Sequence, residues 1–331
     1  MVGAAAQPRI CRKASWFDDN RLREARMIGP QPILVVGKTG QLARALTTLA
    51  GERAIPLVTA GRPDLDLEDV SSIERIITEV APKAIVNAAA YTAVDKAESE
   101  PERAFAVNRD GAARLAAAAA KLMVPFVHVS TDFVFDGKKT SPYLEDDAPS
   151  PLSVYGRSKL EGEFAVHDAY ADAVIIRTSW VFSAFGQNFV KTMLRLAETR
   201  EAVGVVNDQH GSPTAAQDLA ETILAILERN ATGPVSGGLA GLYHFTGAGE
   251  TTWYGFAEAI FAGWARRGHR VPTLKPITTA EYPTPARRPA RSALDCGKIE
   301  RTFRIRRASW QKALDCCLDD LSLARVDAHQ C

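Results

Sequence analysis

ILVVGKTGQLA, residues 33–43, carries two signals at once: the end of a buried strand and the start of a helix. Ile33-Leu34-Val35-Val36 is a short apolar run rich in β-branched residues, which suits a strand covered on both faces. Gly37 closes the run, and a helical pattern follows from Gln41 to Leu49. Glycines at such a turn let the backbone approach a pyrophosphate, whose charge the helix N-terminus attracts. Gly37-Lys38-Thr39 also suggests a triphosphate-binding loop, but the earlier glycine that loop requires would fall at Pro32.

The alternation repeats downstream. Strands are expected at Ile55–Thr59, Ala84–Val86, Pro125–Ser130 and Ala173–Arg177, and helices at Val70–Val80, Pro101–Leu122 (Ala-rich) and Val154–His167. Short apolar strands alternating with helices mean βαβ units and a parallel sheet. The right-handed crossover rule makes this a doubly wound, Rossmann-type α/β fold. Past residue 180 the alternation fails. Loops at Asp208–Thr214, Gly233–Gly241 and Tyr282–Pro289 separate isolated helices. One helix, starting at Thr251 or Thr252, sets Trp253, Phe256, Ala257, Ile260, Phe261 and Trp264 on a single stripe, a buried face. The expected organisation is an N-terminal extension (1–30), a dinucleotide-binding domain (31–180), and a smaller, irregular substrate lobe (181–331) with some segments returning to the first domain.

Composition excludes several classes. The 331 residues include 40 Lys and Arg against 39 Asp and Glu, so no basic charge drives nucleic-acid binding. A 46% hydrophobic content argues against disorder, and no apolar run approaches the ~18 residues of a membrane span. The five cysteines (Cys11, Cys296, Cys316, Cys317 and Cys331) show no paired spacing, and the six histidines are scattered. A reduced, cytoplasmic setting without a zinc site is the expectation. Residues 1–29, with Asp18, Asp19 and Glu24 among their charges, read as a flexible extension, and Met27 is an alternative start.

Three further features carry chemistry. After the second strand comes Thr59-Ala60-Gly61-Arg62, with Asp64 and Asp66 beyond. Arginine at that strand end accommodates the extra phosphate of NADP, where an acidic residue would hold the ribose of NAD. Tyr155 and Lys159 stand at i and i+4 on one helical face. A neighbouring ammonium would lower the phenol pKa toward neutrality, so that tyrosine can serve as general acid to a carbonyl oxygen receiving hydride. Thr131, at the end of the preceding strand, can bond that same oxygen.

With these in place, the chain resembles the extended short-chain dehydrogenase/reductases. More narrowly it resembles the dTDP-4-dehydrorhamnose reductase family, through GKTGQLA (37–43), VNAAAYTAVDKAESEPE (86–102), STDFVFDG (130–137), SVYGRSKLEGE (153–163), RTSWVF (177–182), NFVKTMLRLA (188–197), VNDQHGSPT (206–214), GLYHFTGAGETTW (241–253) and EYPTPARRP (281–289). The resemblance implies reduction of the C4 ketone of dTDP-4-dehydro-β-L-rhamnose, the last step of dTDP-L-rhamnose synthesis, with NADPH or alternatively NADH. It makes Tyr155 the proton donor, Lys159 its activator and ribose ligand, and Thr131 the residue that tunes the carbonyl site. Gly37, Lys38, Thr39, Gly40, Gln41 and Leu42 would hold the phosphates, Asp66 and Leu67 the adenine side, and Ala89, Ala90, Tyr91 and Thr92 the ribose and nicotinamide. Thr131, Asp132 and Trp180 would meet the sugar, and Arg288 its diphosphate.

Departures are visible too. Ala43 replaces a third glycine. The three glutamates that bind magnesium at a dimer interface in some members match Ala45, Gln217 and Asp320 here, so no metal site is expected and a homodimer stays open. Alternatives remain: the dehydratases of the fold place Asp-Glu after the strand-end threonine, where this chain has Asp132-Phe133. An epimerase or another sugar-nucleotide reductase is chemically closer. A non-catalytic NADP-binding regulatory subunit, of the methionine adenosyltransferase type, can keep the same Tyr/Lys pair.

Overall fold

The computed structural model describes residues 30–230 and 239–329. The expected extension at 1–29, most of the 233–241 loop, Cys11 and Cys331 lie outside them. Strands β1 (Ile33–Val36), β2 (Leu57–Ala60), β3 (Ala84–Asn87), β4 (Phe126–Thr131) and β5 (Val174–Thr178) form one parallel sheet in the order β5-β4-β3-β1-β2. The chain leaves β1 toward β2 and then returns past β1 to β3, so the strand order reverses there. Ligands of such sheets bind at that switch point, outside the strands' carboxyl ends. The register aligns those ends: Val36 lies opposite Ala60 and Asn87, Asn87 opposite His128, and Thr131 opposite Thr178.

Helices α1 (Gln41–Glu52), α2 (Val70–Val80), α3 (Ala112–Leu122) and α4 (Val154–Ala169) connect the strands. Successive β1 residues serve opposite faces. Ile33 and Val35 pack with Leu42, Leu46 and Leu49 of α1, whereas Leu34 and Val36 pack with Ile73, Ile76 and Ile77 of α2 and Leu115 of α3. Burial on both faces is why β1 reads as a continuous apolar run rather than an alternating one.

Three parts of the chain beyond residue 180 return to this domain, one of them helix Gly297–Phe303, whose Ile299 and Phe303 join the core that α1 covers. Strand Gly241–His244 pairs in parallel with β5 and becomes the sheet's sixth strand. Helix Ala216–Asn230 sends Leu219, Ile223 and Ile226 into the core that α1 covers. The remainder builds a second core around helices Phe189–Thr199, Trp253–Arg266 and Trp310–His329, centred on Phe256, Ile260, Trp264, Trp310 and Leu318. The Trp253–Arg266 helix buries Phe256, Ala257, Ile260, Phe261 and Trp264 of the expected stripe, whereas Trp253 at its first position is only half-buried, and Thr252 caps it by accepting the Gly255 N–H at 3.0 Å. Among the described residues, no helix is long and apolar enough to cross a membrane.

Local differences from the sequence reading have local causes. The 101–122 segment is not one helix: Pro101–Phe105 is α-helical, Ala106–Gly111 is a π turn, and α3 follows. The wide turn faces Asn108 inward, and Gly111 meets Leu67 so closely that a methyl there would lie 2.6 Å from Leu67 Cβ. Such widened turns are frequent at functional sites. Strand β2 begins at Leu57, not Ile55, because the Ile55 N–H still donates to Ala50 O at the end of α1. Strand β4 extends one residue further, through Thr131.

Candidate active site

The glycine turn lies at the switch point. Gly37 adopts φ +122°, and a methyl there would stand 3.2 Å from the Ala88 and Ala89 backbone. Both facts demand glycine. Gly40 is the N-cap of α1 and supplies no side-chain cap, while a methyl at Gly40 would meet nothing within 4 Å. No side chain caps the first N–H groups of this 12-residue helix, at its positive end. That is a cradle for a pyrophosphate, and it fits a dinucleotide. Lys38 pairs with Asp64 at 3.0 Å, and Arg62 is exposed at the end of β2. Leu67 is buried, and the Asp66 N–H donates to Ser72 Oγ at 3.0 Å.

Gln41 does something the sequence did not reveal. Its Nε2 donates to Val181 O at 3.1 Å, and its Oε1 accepts from Ser183 Oγ at 2.8 Å and Asn188 Nδ2 at 2.9 Å. The glycine turn is thereby tied to the first segment beyond β5.

The 89–92 segment runs beside the turn. Its backbone is held at Tyr91, whose N–H donates to Asn108 Oδ1 at 2.8 Å and whose carbonyl accepts from Asn108 Nδ2 at 3.1 Å. Asn108 also donates to Ser158 Oγ on α4 at 2.9 Å. This is what the π turn achieves: one amide locks the 89–92 segment to the helix that carries Tyr155 and Lys159.

Helix α4 starts under strong local control. Ser153 Oγ accepts the Gly156 N–H at 3.1 Å, and Glu98 Oε1 accepts the Val154 N–H at 2.7 Å. Tyr155 is buried edge-on to Phe133, with ring centroids 5.6 Å apart. Beside it, Thr131 Oγ1 accepts the Phe133 N–H at 3.2 Å and donates to Asp132 Oδ1 at 3.1 Å. Asp132 is 2% exposed and its Oδ2 has no partner. Burial pushes its carboxyl up to about 6.

Here the structure corrects an expectation. Tyr155 is not lowered toward neutrality. Burial pushes it up to about 12; the Thr131 hydrogen bond pulls against this, while the Asp132 charge adds to it. Lys159 is turned away to β4, where Nζ donates to Val129 O at 2.7 Å and lies 3.3 Å from His128 Nε2. Burial lowers the lysine to about 8, against the charge of Glu163. Glu163 is itself the centre of a buried knot. It accepts from Arg177 at 2.9 and 2.6 Å and from Ser130 Oγ at 2.5 Å.

Trp180 adopts φ +48° and stacks on Trp253 at 3.6 Å and 9°, and Gly211 lies against its ring. Arg288 was expected to offer a free fork to phosphate oxygens. The structure shows the fork engaged: Asp95 takes Nη2 at 2.8 Å and Nη1 at 3.2 Å, and Nη1 also bonds Thr284 and the Ala286 carbonyl. Ala45 is buried in α1, whereas Gln217 and Asp320 are exposed on helices. Among the described residues, no group of three His, Cys, Asp or Glu side chains is placed to hold a metal. Asn87, Asn108, His128, Glu163 and Arg177 were all missed by the sequence reading. The one available signal was polarity inside otherwise apolar strands and an Ala-rich helix.

The family model described as the RmlD substrate binding domain matches residues 31–323. A dTDP-4-dehydrorhamnose reductase of Sinorhizobium fredii is 51% identical over 281 residues, covering 85% of this chain and 94% of that protein. One from Escherichia coli K12 is 41% identical over 295 residues, covering 87% and 97%. The crystal structure of dTDP-4-dehydrorhamnose reductase from Bacillus anthracis in complex with NADP superposes with a TM-score of 0.80 at 32% identity, covering 88% of this chain and 99% of that one.

Proposed function

This chain belongs to the RmlD substrate-binding-domain family, and we propose that it reduces the C4 ketone of dTDP-4-dehydro-β-L-rhamnose to dTDP-β-L-rhamnose with NADPH. The observation that carries the reading is the buried Tyr155 beside Thr131 at the carboxyl edge of the sheet, across the switch point from the uncapped glycine turn. Bound there, the reduced nicotinamide supplies a hydride to the carbonyl carbon. Tyr155 gives its proton to the carbonyl oxygen and recovers one from solvent. Thr131 holds that oxygen and the phenol in line. Lys159 binds the nicotinamide ribose and, as ammonium, steadies the phenolate left after transfer.

We assign Gly37, Lys38, Thr39, Gly40 and the N–H groups of Gln41 and Leu42 to the phosphates, Asp66 and Leu67 to the adenine side, and Ala89 to Thr92 to the ribose and nicotinamide. Asp132 and Trp180 meet the sugar, the indole covering its apolar face from its seat on Trp253. Arg288, engaged by Asp95, holds the 284–288 loop in place rather than serving the diphosphate. The free thiols Cys296, Cys316 and Cys317 and the balanced charge suit a cytoplasmic enzyme acting on a small nucleotide sugar.

The direct test is oxidation of NADPH by the purified protein with enzymatically prepared dTDP-4-dehydro-β-L-rhamnose. We expect stoichiometric formation of dTDP-L-rhamnose. Tight NADPH binding without turnover would move the reading to another sugar ketone or a regulatory, binding-only role.

Cofactor choice has its own test. Arg62 stands exposed just after β2, where the 2′-phosphate of NADPH would lie. Losing a charge-assisted hydrogen bond costs about 1.5–3 kcal/mol. Arg62→Ala should therefore weaken NADPH by roughly 10- to 100-fold and leave NADH nearly unchanged. Equal losses for both cofactors would remove Arg62 from the phosphate site.

A further inference from the structure

Lys159 is backed by a buried chain of polar groups that the reaction above does not use. Its Nζ lies 3.3 Å from His128 Nε2, and the far nitrogen of that ring, Nδ1, lies 3.0 Å from Asn87 Nδ2. The three side chains are 0–1% exposed, so they have only each other and the backbone as partners. The backbone orients the first of them. The Ala89 N–H donates to Asn87 Oδ1 at 3.2 Å, which leaves Nδ2 turned to the ring. An amide nitrogen has only protons to give, so Nδ1 accepts and the neutral imidazole carries its proton on Nε2. The ring is neutral because burial and the charge of Lys159 hold its pKa well below the usual imidazole value. Its Nε2–H points at the lysine nitrogen. A neutral amine can accept that bond and an ammonium cannot.

We propose that Asn87 and His128 form a positioning relay for Lys159: Asn87 fixes the ring tautomer, and the His128 Nε2–H, a bond that only the uncharged lysine nitrogen can accept, keeps that nitrogen against the Val129 carbonyl and opposes its charging. The role in turnover rests on the reductase reading given above. The remaining charged or titratable groups on the surrounding elements are Glu163 and Tyr155 on α4, Asp132 just after β4, and Arg177 on β5. Of these, Glu163 favours the ammonium, but it is shared with Arg177 and Ser130. Balanced between that carboxylate on one side and burial on the other, Lys159 titrates inside the range where enzymes work. Ala89 also opens the segment assigned to the ribose and nicotinamide, so three hydrogen bonds connect that segment to the lysine.

Nitrogen-15 NMR of histidine-labelled protein reads the tautomer without substrate or cofactor. The His128 signal, identified by its loss in His128→Gln, is expected to show a neutral ring protonated at Nε2 on the alkaline side of the lysine titration. Asn87→Asp is nearly isosteric: it keeps the acceptor for Ala89 but faces the ring with an acceptor. The ring proton then moves to Nδ1, Nε2 becomes an acceptor, and the ammonium is favoured. The alkaline limb of kcat, where Lys159 loses its charge, should shift upward by about one pH unit.

His128→Phe should raise that limb too and lower kcat about tenfold, while His128→Gln, which retains an N–H donor, should restore most of both. An Nδ1-protonated ring in the parent protein, limbs that coincide in parent and Asn87→Asp, or equal losses for Phe and Gln would each overturn the relay. If His128→Phe fails to fold, the parent tautomer and Asn87→Asp still decide. The expected tautomer together with no turnover by the parent would count against the proposed reaction and leave the tautomer assignment standing.

Discussion

Tyr155→Phe is expected to lower kcat by about 10²–10⁴-fold while NADPH affinity and the unfolding midpoint stay near those of the parent protein. Hydride addition to a ketone leaves charge on oxygen, and that charge must be met by a proton in the same step. Tyr155 is the group placed to give it. It is buried beside Thr131 at the carboxyl end of β4, and its ring is fixed edge-on against Phe133 at 5.6 Å. Phenylalanine keeps that ring contact and removes only the proton.

The protonation state also favours donation. Burial pushes the phenol up to about 12, so it carries its proton across the working range and no base need first be charged. Lys159, lowered to about 8, is then the first of the pair to titrate as pH rises. We therefore expect kcat to fall on the alkaline side with the lysine and well before the tyrosine. A variant retaining more than about a tenth of parental kcat would show that the proton comes from elsewhere.

The fold was legible because its signals are local. Four apolar residues ending in Gly37, with helical periodicity from Gln41, already state a strand, a turn and a helix, and repetition of that unit implies the parallel sheet. The Tyr155/Lys159 pair was legible for the same reason, since i and i+4 share a helical face. What escaped were contacts between residues far apart in sequence. Asn108 sits in an Ala-rich stretch that reads as plain helix, and only Tyr91 and Ser158 explain the π turn around it. The tie from Gln41 to Ser183 and Asn188 spans more than a hundred positions and leaves no pattern.

For Lys159 the sequence tells only part. Helical spacing places it on the same face as Tyr155, but spacing does not say what lies behind that face. The register of β3 against β4 sets Asn87 opposite His128, and the amine turns to β4. Arg288 likewise reads as a free cation until Asp95, about two hundred positions away, is seen to hold it.

The second large effect concerns stability. Glu163→Ala should cost about 3–5 kcal/mol, because it leaves Arg177 as a buried charge without its counterion. The two side chains are only 5% and 3% exposed, and Arg177 Nη1 already lacks a partner. Water cannot replace the lost carboxylate without opening the α4–β5 packing, and Ser130 Oγ would lose its acceptor as well. Glu163→Gln retains a carbonyl acceptor and should cost distinctly less. Replacing Glu163 and Arg177 together by apolar residues of similar volume should recover much of the loss, since breaking such a pair costs more than removing it. Urea unfolding midpoints measure all three. A cost below about 1 kcal/mol for Glu163→Ala would mean that the guanidinium finds solvent or another partner. The same variant separates structure from chemistry: Glu163 is the one charge that favours the Lys159 ammonium, so its loss should move the alkaline limb of kcat to lower pH, opposite in sign to Asn87→Asp.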